Sequence, residues 1–210
     1  MHNGKLIVFE GIDGAGKATQ AKLLAKRLRT RGKHVAVFDF PNYKTRIGQL
    51  IRDHLRGKWG DFLNVSPYLA SLLFALDRAQ AVPKLSSALE RGIVICDRYT
   101  QSAAFQAAKL PRAKRAAFVK EIENLEYRTL HIPKPDIIIL LDISVPNAQE
   151  LIATKSKDQH ERDKAFQSRV ASVYQMLAKQ KNWITIPCVK NGAIFSRAEI
   201  HARILSALNL

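Results

Sequence analysis

A glycine-rich segment near the N-terminus, residues 10–17, constrains the fold more than any other part of the chain. It reads Glu-Gly-Ile-Asp-Gly-Ala-Gly-Lys, follows an apolar run from Leu6 to Phe9 that is typical of a buried strand, and precedes a helical pattern of apolar residues. Such glycines let backbone N–H groups converge on phosphate oxygens, the helix dipole favours the anion, and Lys17 adds a mobile positive charge. This order of strand, glycine loop, lysine and helix predicts a loop that binds nucleotide phosphates.

The residue after that lysine departs from the usual pattern. Ala18 stands where phosphate-binding loops carry a Ser or Thr that binds Mg2+, and Thr19 lies about 100° further round the helix. A bound metal ion must therefore rely on other oxygens, which argues against a generic ATPase. The residues predicted to contact nucleotide phosphates are Gly11, Gly14, Ala15, Gly16, Lys17, Ala18 and Thr19.

The composition predicts one domain over residues 1–210, or one domain with a small insertion, of which 47% is hydrophobic. No segment approaches ~20 uninterrupted apolar residues, so we expect no membrane span. Because a strand is predicted within six residues of Met1 and ends at Glu10, we expect no signal peptide. Cys96 and Cys188 lack metal-binding or redox spacing and are expected to be reduced, which favours a cytoplasmic protein.

The net charge of +16, from 34 Lys and Arg against 18 Asp and Glu, first suggests a nucleic-acid partner. However, the basic residues are scattered over the first helix, residues 112–115 and residues 155–157, without a stripe interleaved with aromatic side chains. The excess therefore favours small polyanionic substrates and a solvated basic surface over a specific nucleic acid.

Segments of two kinds alternate along the chain. Short runs rich in Val and Ile predict strands, and longer stretches predict helices, with starts at Ser66 and Ser196 and stops at Gly32 and Gly92. The alternation implies a parallel sheet covered on both faces, with ligands at the carboxyl ends of the strands. The predicted strands are 5–10, 34–39, 93–97, 136–142 and 183–187, and the predicted helices are 16–32, 45–57, 67–90, 99–109, 113–129, 146–153, 161–181 and 196–208.

The third predicted strand ends in Asp97 and Arg98. An Asp at the end of an apolar strand is the usual second half of a phosphate-loop site, where it holds Mg2+ directly or through water. Arg98 beside it can clamp a phosphoryl group with two hydrogen bonds. Solvated charges at a strand end are the structural alternative.

Aromatic residues suggest where a base would bind. Phe74 and Arg78 are four residues apart on a predicted helix and so share a face. The ring suits stacking on a planar base, and the guanidinium suits donation to a carbonyl edge. Tyr43 offers a phenol near the loop, after Pro41 fixes the chain as it leaves the second strand. A core Phe with a surface Arg, and a strand-end turn with a buried aromatic, are the alternatives.

A charged segment from Lys155 to Asp163 is poor in apolar residues and leads into a helix. It predicts a mobile cover, a lid over about residues 154–162, that supplies cations to the transferred phosphoryl group. Glu161 adds a carboxylate near the metal, and a solvated loop is the alternative. In contrast, the prolines in residues 132–136 stiffen the entry to the fourth strand and have a structural role.

Together these motifs resemble the thymidylate kinase family, whose members make dTDP from dTMP and ATP. The resemblance implies a three-layer α/β/α P-loop fold with a five-stranded parallel sheet of order 2-3-1-4-5, Mg2+ as cofactor, and ATP and dTMP as substrates. It also suggests a homodimer with apolar contacts from the predicted helices 45–57 and 67–90. It rests on residues 10–17, Phe40-Pro41, residues 73–78, Asp97-Arg98-Tyr99, residues 133–136 and His160-Glu161-Arg162.

The resemblance assigns roles in acceptor binding. Phe74 would stack on thymine and Arg78 would donate to its O4, while Arg98 and Tyr43 would hold the dTMP phosphate. The residues expected to contact this substrate are Asp13, Phe40, Tyr43, Phe74, Arg78, Arg98, Ser102, Phe105 and Gln106.

The resemblance also assigns roles in phosphoryl transfer. Asp13 would meet the sugar 3′-hydroxyl and metal-bound water, and Lys17 would bridge the donor and acceptor phosphates. Relatives carry an arginine either in the loop or in the cover. Because the loop position here is Gly14, the cover must supply the charge, and the residues expected to act there are Lys155, Lys157 and Arg162.

One segment departs from the family pattern. Many relatives follow the serine with an Asn that contacts the thymine N3 edge and then with a Tyr or His against the deoxyribose, whereas residues 102–106 are one residue shorter. A deletion in a helix rotates the residues after it by about 100°. Either Phe105 gates the sugar, or Gln106 replaces the Asn. The missing hydroxyl at position 18 shifts metal holding to Asp13, Asp97 and Glu161.

Two other functions fit the sequence. A kinase for another pyrimidine monophosphate, such as dUMP, agrees with the altered segment 102–106. A deoxynucleoside kinase agrees less well, because it needs a carboxylate base after the second strand and residues 40–43 contain none. A P-loop module that binds nucleotide or nucleic acid without phosphoryl transfer would agree with the basic charge.

Overall fold

A computed structural model describes residues 4–61, 63–153 and 163–210. Its centre is a five-stranded, all-parallel sheet of order β2-β3-β1-β4-β5, as the family resemblance implies. The strands are apolar and rich in Val and Ile, the composition of strands buried on both faces. They are β1 (Leu6–Glu10), β2 (Val35–Asp39), β3 (Ile93–Asp97), β4 (Ile137–Asp142) and β5 (Trp183–Pro187).

The central strand β1 is buried along its whole length and pairs with β3 on one side and β4 on the other. In this register Val8 stands opposite Cys96 and Ile138, and Phe9 stands opposite Asp97. The carboxyl ends of β1 and β3 therefore lie side by side. The glycine loop after β1 and the charged pair after β3 meet at the point where the order of strands reverses, which is where open α/β sheets bind ligands.

Helices cover the sheet, and among the residues described none has the length and apolar character needed to cross a membrane. Cys96 and Cys188 are buried free thiols, as predicted. The helices are α1 (Lys17–Thr30), α2 (Arg46–Leu55), α3 (Pro67–Ala79), α4 (Val82–Arg91), α5 (Ala103–Ala107), α6 (Arg112–Asn124), α7 (Val145–Leu151), α8 (Lys164–Leu177) and α9 (Arg197–Ala207).

The prediction of one long helix over 67–90 is wrong. The chain turns at Gln80 and Ala81, so that α3 ends at Ala79 and α4 begins at Val82. Pro83 is the cause, since it has no amide hydrogen for the carbonyl of residue 79 and its ring clashes with that carbonyl, whereas it fits the first turn of a new helix. Phe74 and Arg78 both stay within α3, so their shared face is preserved.

The prediction of a helix over 113–129 is right in extent but not in type. After α6 the helix widens into a π-helical segment, Leu125–Thr129, a form that sequence periodicity does not reveal. The predicted helix over 99–109 likewise divides into a 3-10 turn, Thr100–Ser102, and α5. In the final helix, Ser196 caps the N-terminus through a reciprocal capping box with Glu199, in agreement with the predicted start.

A short antiparallel hairpin after β5 was not predicted. It consists of β6 (Val189–Lys190) and β7 (Ala193–Ile194). The two turn residues, Asn191 and Gly192, have positive φ angles of 51° and 80°, the geometry that an Asn-Gly pair favours. This dipeptide was therefore a usable signal for the hairpin.

Candidate active site

The loop between β1 and α1 needs glycine for two different reasons. Gly14 and Gly16 both have φ of 86°, a left-handed conformation that other side chains rarely adopt. A Cβ on Gly16 would meet open space, but one on Gly14 would lie 2.4 Å from the carbonyl oxygen of Ala148 in α7. An arginine therefore cannot occupy position 14 without moving α7. The space that a side chain at position 14 would need is therefore occupied by α7.

Lys17, the first residue of α1, is buried and folds back over the loop. Its Nζ donates to the backbone carbonyls of Gly11 (3.1 Å) and Ile12 (2.8 Å). Burial, together with the charge of Arg98, lowers its pKa from 10.5 to about 8, against the opposing effect of Asp13 and nearby carboxylates. The ammonium is therefore held in place by carbonyl oxygens that a phosphate can replace.

Arg98 follows β3 with a φ of 65°, a conformation uncommon for a residue with a side chain. This backbone turn brings its guanidinium onto Asp13 of the loop, with which it forms an ion pair. The guanidinium also lies 4.7 Å from the ring centre of Phe105. Burial disfavours the charged form, but the charge of Asp13 and other neighbouring groups raises the pKa of Arg98 above its ordinary value. Arg98 is thus a fixed cation beside the phosphate loop.

Asp13 has a second partner that the sequence analysis missed. Gln167 of α8 is buried, donates from Nε2 to Asp13 Oδ2 (2.8 Å), and accepts the backbone N–H of Asp13 (3.3 Å). Gln167 therefore connects the glycine loop to a helix more than 150 residues away in sequence. No local motif could have shown this contact, because the two residues are adjacent only in the folded chain.

Glu10, the last residue of β1, organises the chain after β3. Its buried carboxylate accepts the backbone N–H of Tyr99 (2.8 Å), the hydroxyl of Ser102 (2.9 Å) and the phenol of Tyr174 (2.7 Å). Burial raises its pKa, while the charge of Arg98 and these hydrogen bonds lower it. The Ser102 hydroxyl, expected to contact substrate, is thus already bonded to Glu10, so its role in the ligand-free protein is to fix the start of α5.

Asp97 is the carboxylate best placed for a metal ion. Its Oδ1 is buried and has no hydrogen-bond partner in the described part of the chain. Burial raises its pKa, and Lys17 and Arg98 oppose that rise. Residues 4–61, 63–153 and 163–210 contain no group of three or more His, Cys, Asp or Glu side chains suited to a metal. Mg2+ at phosphates needs only one or two carboxylates, so a single open one fits.

A cleft with a volume of about 150 Å³ opens beside the glycine loop between β1 and α1. Apart from Phe40, every residue expected to contact an acceptor lines it, which places base-binding and phosphate-binding candidates in one continuous space. Its walls are mostly apolar with a few polar groups, the usual character of a small-molecule site. The lining residues are Asp13, Pro41, Tyr43, Leu55, Ser71, Phe74, Arg78, Arg98, Ser102, Ala103, Phe105 and Gln106.

Arg78 is held more firmly than its sequence position suggests. It is buried, not a surface residue, and Nε donates to Glu126 Oε2 (2.7 Å) while Nη2 donates to Glu126 Oε1 (2.5 Å). Glu126 also accepts the hydroxyl of Thr100 (2.7 Å). Burial disfavours the charge of Arg78, but the Glu126 carboxylate raises its pKa. The π-helical segment supplies Glu126, which the sequence analysis missed because no periodicity places it.

Phe40 does not occupy the place expected of it, and the four residues expected in the cover are not among those that the structure describes. Phe40 does not line the cleft; it is buried in the core against Phe38 and Tyr99, and its neighbour Pro41 lines the cleft instead. The cover residues Lys155, Lys157, Glu161 and Arg162 lie outside the described residues.

The sequence offered Phe105 and Gln106 as alternatives, and both line the cleft. Phe105 packs near Arg98 and against Tyr174, with ring centres 6.2 Å apart. Gln106 is 2% exposed, and neither its amide nitrogen nor its amide oxygen has a hydrogen-bond partner within the described chain. The two residues therefore occupy different parts of the same wall and do not exclude each other.

A glycine loop with its lysine at a helix N-terminus, next to an Asp-Arg pair on the neighbouring strand, defines a P-loop nucleotide phosphotransferase. The model of the thymidylate kinase family matches residues 9–195. The chain is 37% identical over 186 residues to the thymidylate kinase of Mycobacterium tuberculosis, which covers 83% of this chain and 86% of that relative.

Two further comparisons agree. A probable thymidylate kinase of Methanocaldococcus jannaschii is 34% identical over 209 residues, 99% of this chain and 97% of that relative. The solved structure of Candida albicans thymidylate kinase has the same fold, with a TM-score of 0.73 and 24% identity, and covers 98% of this chain and 91% of that one. The chain belongs to the thymidylate kinase family.

The position of Lys17 predicts a proton linkage. Above about pH 8 the free protein loses the Lys17 proton, whereas a bound phosphate favours the charged lysine, so ATP binding should take up a proton there. We expect calorimetry in two buffers of different ionisation enthalpy to show uptake at about pH 9 and little at about pH 7, with weaker binding at the higher pH. A Lys17→Arg control stays charged and should show no uptake. Uptake of equal size in that variant would contradict the assignment to Lys17.

The buried ion pair predicts a stability effect. Glu126→Gln leaves the charge of Arg78 buried without a counter-charge, so the free energy of unfolding should fall by roughly 3–5 kcal/mol in urea titrations. Thr100→Val is the matched control, because it removes the other hydrogen bond to Glu126 but keeps the ion pair; its loss should be about 1 kcal/mol. Equal losses in both variants would refute the importance of the Arg78 pair.

Proposed function

We propose that this protein transfers the γ-phosphoryl group of ATP to dTMP, giving dTDP and ADP. The observation that carries the proposal is the continuous cleft that runs from Phe74 and Arg78 to Arg98, beside the glycine loop and Lys17. A base placed at one part of this cleft and a phosphate at the other bring the acceptor to the loop that would hold the ATP phosphates. Membership of the thymidylate kinase family supports the identity of both substrates.

The proposed chemistry needs no general base. The attacking group is a dTMP phosphate oxygen, which is already an anion at neutral pH, and it approaches the γ-phosphorus in line with the leaving ADP oxygen. Catalysis is then a matter of alignment and neutralisation of charge. The site is built accordingly, because the side chains of Lys17 and Arg98 are already held by loop carbonyls and by Asp13 in the ligand-free protein.

Lys17 and Arg98 have complementary roles in this proposal. Lys17 exchanges its two carbonyl partners for phosphate oxygens of ATP and bridges donor and acceptor, while the loop N–H groups from Gly11 to Thr19 hold the β- and γ-phosphates. Arg98 holds the acceptor phosphate with Tyr43, which lines the cleft. Asp13 keeps Arg98 oriented and faces the sugar 3′-hydroxyl.

Mg2+ would supply positive charge to the ATP phosphates when bound. The open Oδ1 of Asp97 supports a direct or water-mediated contact, since this oxygen is buried and no described residue satisfies it. Asp13 is the second candidate, and Glu161 stays a proposal from the sequence alone. Ala18 offers no hydroxyl, which is why the carboxylate at the end of β3 carries this role.

The cover is proposed to complete the positive charge around the transferred phosphoryl group. Position 14 has no space for an arginine because Ala148 closes on it. A cation must therefore come from elsewhere, and Lys155, Lys157 and Arg162 are the candidates that the sequence provides.

Recognition of thymine is proposed to use three elements. Phe74 stacks on the ring, Arg78 donates to O4 from the position that Glu126 fixes, and the unpartnered amide of Gln106 meets the N3 edge. Phe105 packs beside the deoxyribose, near Arg98. A carboxamide presents both donors and an acceptor, which is the pattern that an imide edge requires.

Removal of Arg98 tests the proposed transfer. Arg98→Ala should reduce kcat for dTMP phosphorylation at least ~100-fold, because it removes a fixed cation from the reacting phosphates, while the variant remains folded. A coupled assay of ADP release over dTMP, dUMP, dCMP and dAMP should give dTMP the highest kcat/KM.

Arg91→Ala is the control for the loss of an arginine, since Arg91 is exposed on α4 and bonds only Ser87 among the described residues. A higher kcat/KM for dUMP would make the protein a kinase of another pyrimidine monophosphate. ATP binding without phosphorylation of any monophosphate would favour a non-catalytic nucleotide-binding module.

We propose that the protein forms a homodimer through α3. Leu69, Leu72 and Leu76 lie on one face of this helix and are 46–56% exposed, and Leu50 of α2 is 47% exposed. Apolar side chains at this spacing form a continuous stripe that a second copy would cover.

Substitution of Leu69, Leu72 and Leu76 by Gln tests this face. The triple variant should elute as a monomer in size-exclusion chromatography with light scattering, while the unaltered protein elutes as a dimer. The exposed Leu151 of α7 provides a control, because Leu151→Gln alters an equally exposed leucine of a different helix and should leave the dimer intact. A monomeric unaltered protein would rule out the proposed interface.

A further inference from the structure

Ser71 of α3 is a cleft residue with no role in the site described so far. Its side chain is 2% exposed, and its hydroxyl makes no hydrogen bond to any of the residues that the structure describes. A serine inside a helix often donates to the carbonyl four residues earlier, which here belongs to Pro67, but Ser71 does not do so. A buried hydroxyl without a hydrogen-bond partner destabilises the ligand-free fold. Its position is therefore explained better by binding than by folding.

The helical spacing places this hydroxyl on the base-binding face. Ser71, Phe74 and Arg78 are related by three and seven residues, so they lie on one stripe of α3, and all three line the cleft. Seven residues of α-helix rise about 10 Å. Ser71 and Arg78 therefore flank Phe74 on opposite sides along the helix axis, and a ring stacked on Phe74 has polar groups facing both.

We propose that Ser71 is a specificity-determining substrate contact, whose hydroxyl donates to the second ring carbonyl, O2, of the pyrimidine. The proposal rests on the proposed function. Arg78 has only donors and takes O4, Gln106 has both donors and an acceptor and takes the N3 edge, and Ser71 completes the set at O2. Each polar atom of the imide then has a hydrogen-bond partner, and so do the side chains of Ser71 and Gln106, which have none in the ligand-free structure among the described residues.

Ser71→Ala tests the proposal through two measurements, the stability of the ligand-free protein and its affinity for dTMP, which should not fall together. Removal of an unpartnered hydroxyl should leave the thermal midpoint of the ligand-free protein unchanged or higher, whereas the Kd for dTMP should rise roughly three- to tenfold, the value of one neutral hydrogen bond. The KM for ATP should not change. Ser86→Ala on α4, outside the cleft, is the control and should alter neither dTMP binding nor ATP use.

A substrate analogue locates the contact. In 2-thio-dTMP the O2 acceptor is replaced by sulfur, a poor acceptor, so the unaltered protein should bind it more weakly than dTMP, while Ser71→Ala should bind the two nucleotides with nearly equal affinity. An unchanged Kd for dTMP in Ser71→Ala, or an equal loss with the analogue in both proteins, overturns the proposal alone. Failure of the unaltered protein to phosphorylate any pyrimidine monophosphate overturns the proposed function and this contact together.

Discussion

The site depends on the ion pair between Arg98 and Asp13. It joins the end of β3 to the loop after β1, and it exists because Arg98 adopts a left-handed backbone conformation that turns its side chain toward the sheet centre. Such a conformation costs about 1–3 kcal/mol and persists only where the surroundings enforce it. Glu10 does so here, since it holds the backbone N–H of the next residue, Tyr99. The ion pair with Asp13 and the hydrogen bond from Tyr99 to Glu10 thus both favour the left-handed backbone of Arg98.

The end of the cleft that contains Arg78 is organised on the same principle but by a different element. Arg78 is oriented through two hydrogen bonds to Glu126, and Glu126 is available only because the helix after α6 widens into a π-helical turn. A guanidinium fixed in this way loses little conformational freedom on binding, so its hydrogen bond to a ligand is not weakened by an ordering cost. Both arginines of the cleft, Arg78 and Arg98, are therefore held by a carboxylate before any ligand binds.

The sequence was sufficient for the sheet, and it predicted that Lys17, Asp97 and Arg98 lie near the carboxyl ends of neighbouring strands, where the structure also has them. Strand composition predicted the order of secondary structure, and Lys17, Asp97 and Arg98 belong to motifs whose spacing is local. The sequence was insufficient for partners brought together by the fold, such as Glu126 and Gln167, because no periodicity records a contact across tens of residues. The incorrect prediction of one helix over 67–90 could have been avoided, because Pro83 is a known signal for the end of a helix. The apolar residues on both sides of Pro83 continue a helical pattern, so the break was missed.

The packing of Gly14 has a mechanical consequence. Its backbone lies so close to α7 that even a methyl group would collide with the Ala148 carbonyl and press on the Ile152 side chain. The glycine loop and α7, which ends at Leu151, are therefore in direct contact at Gly14. A bulkier residue at position 14 would therefore have to displace α7, so the size of this one residue limits how closely the helix can approach the glycine loop.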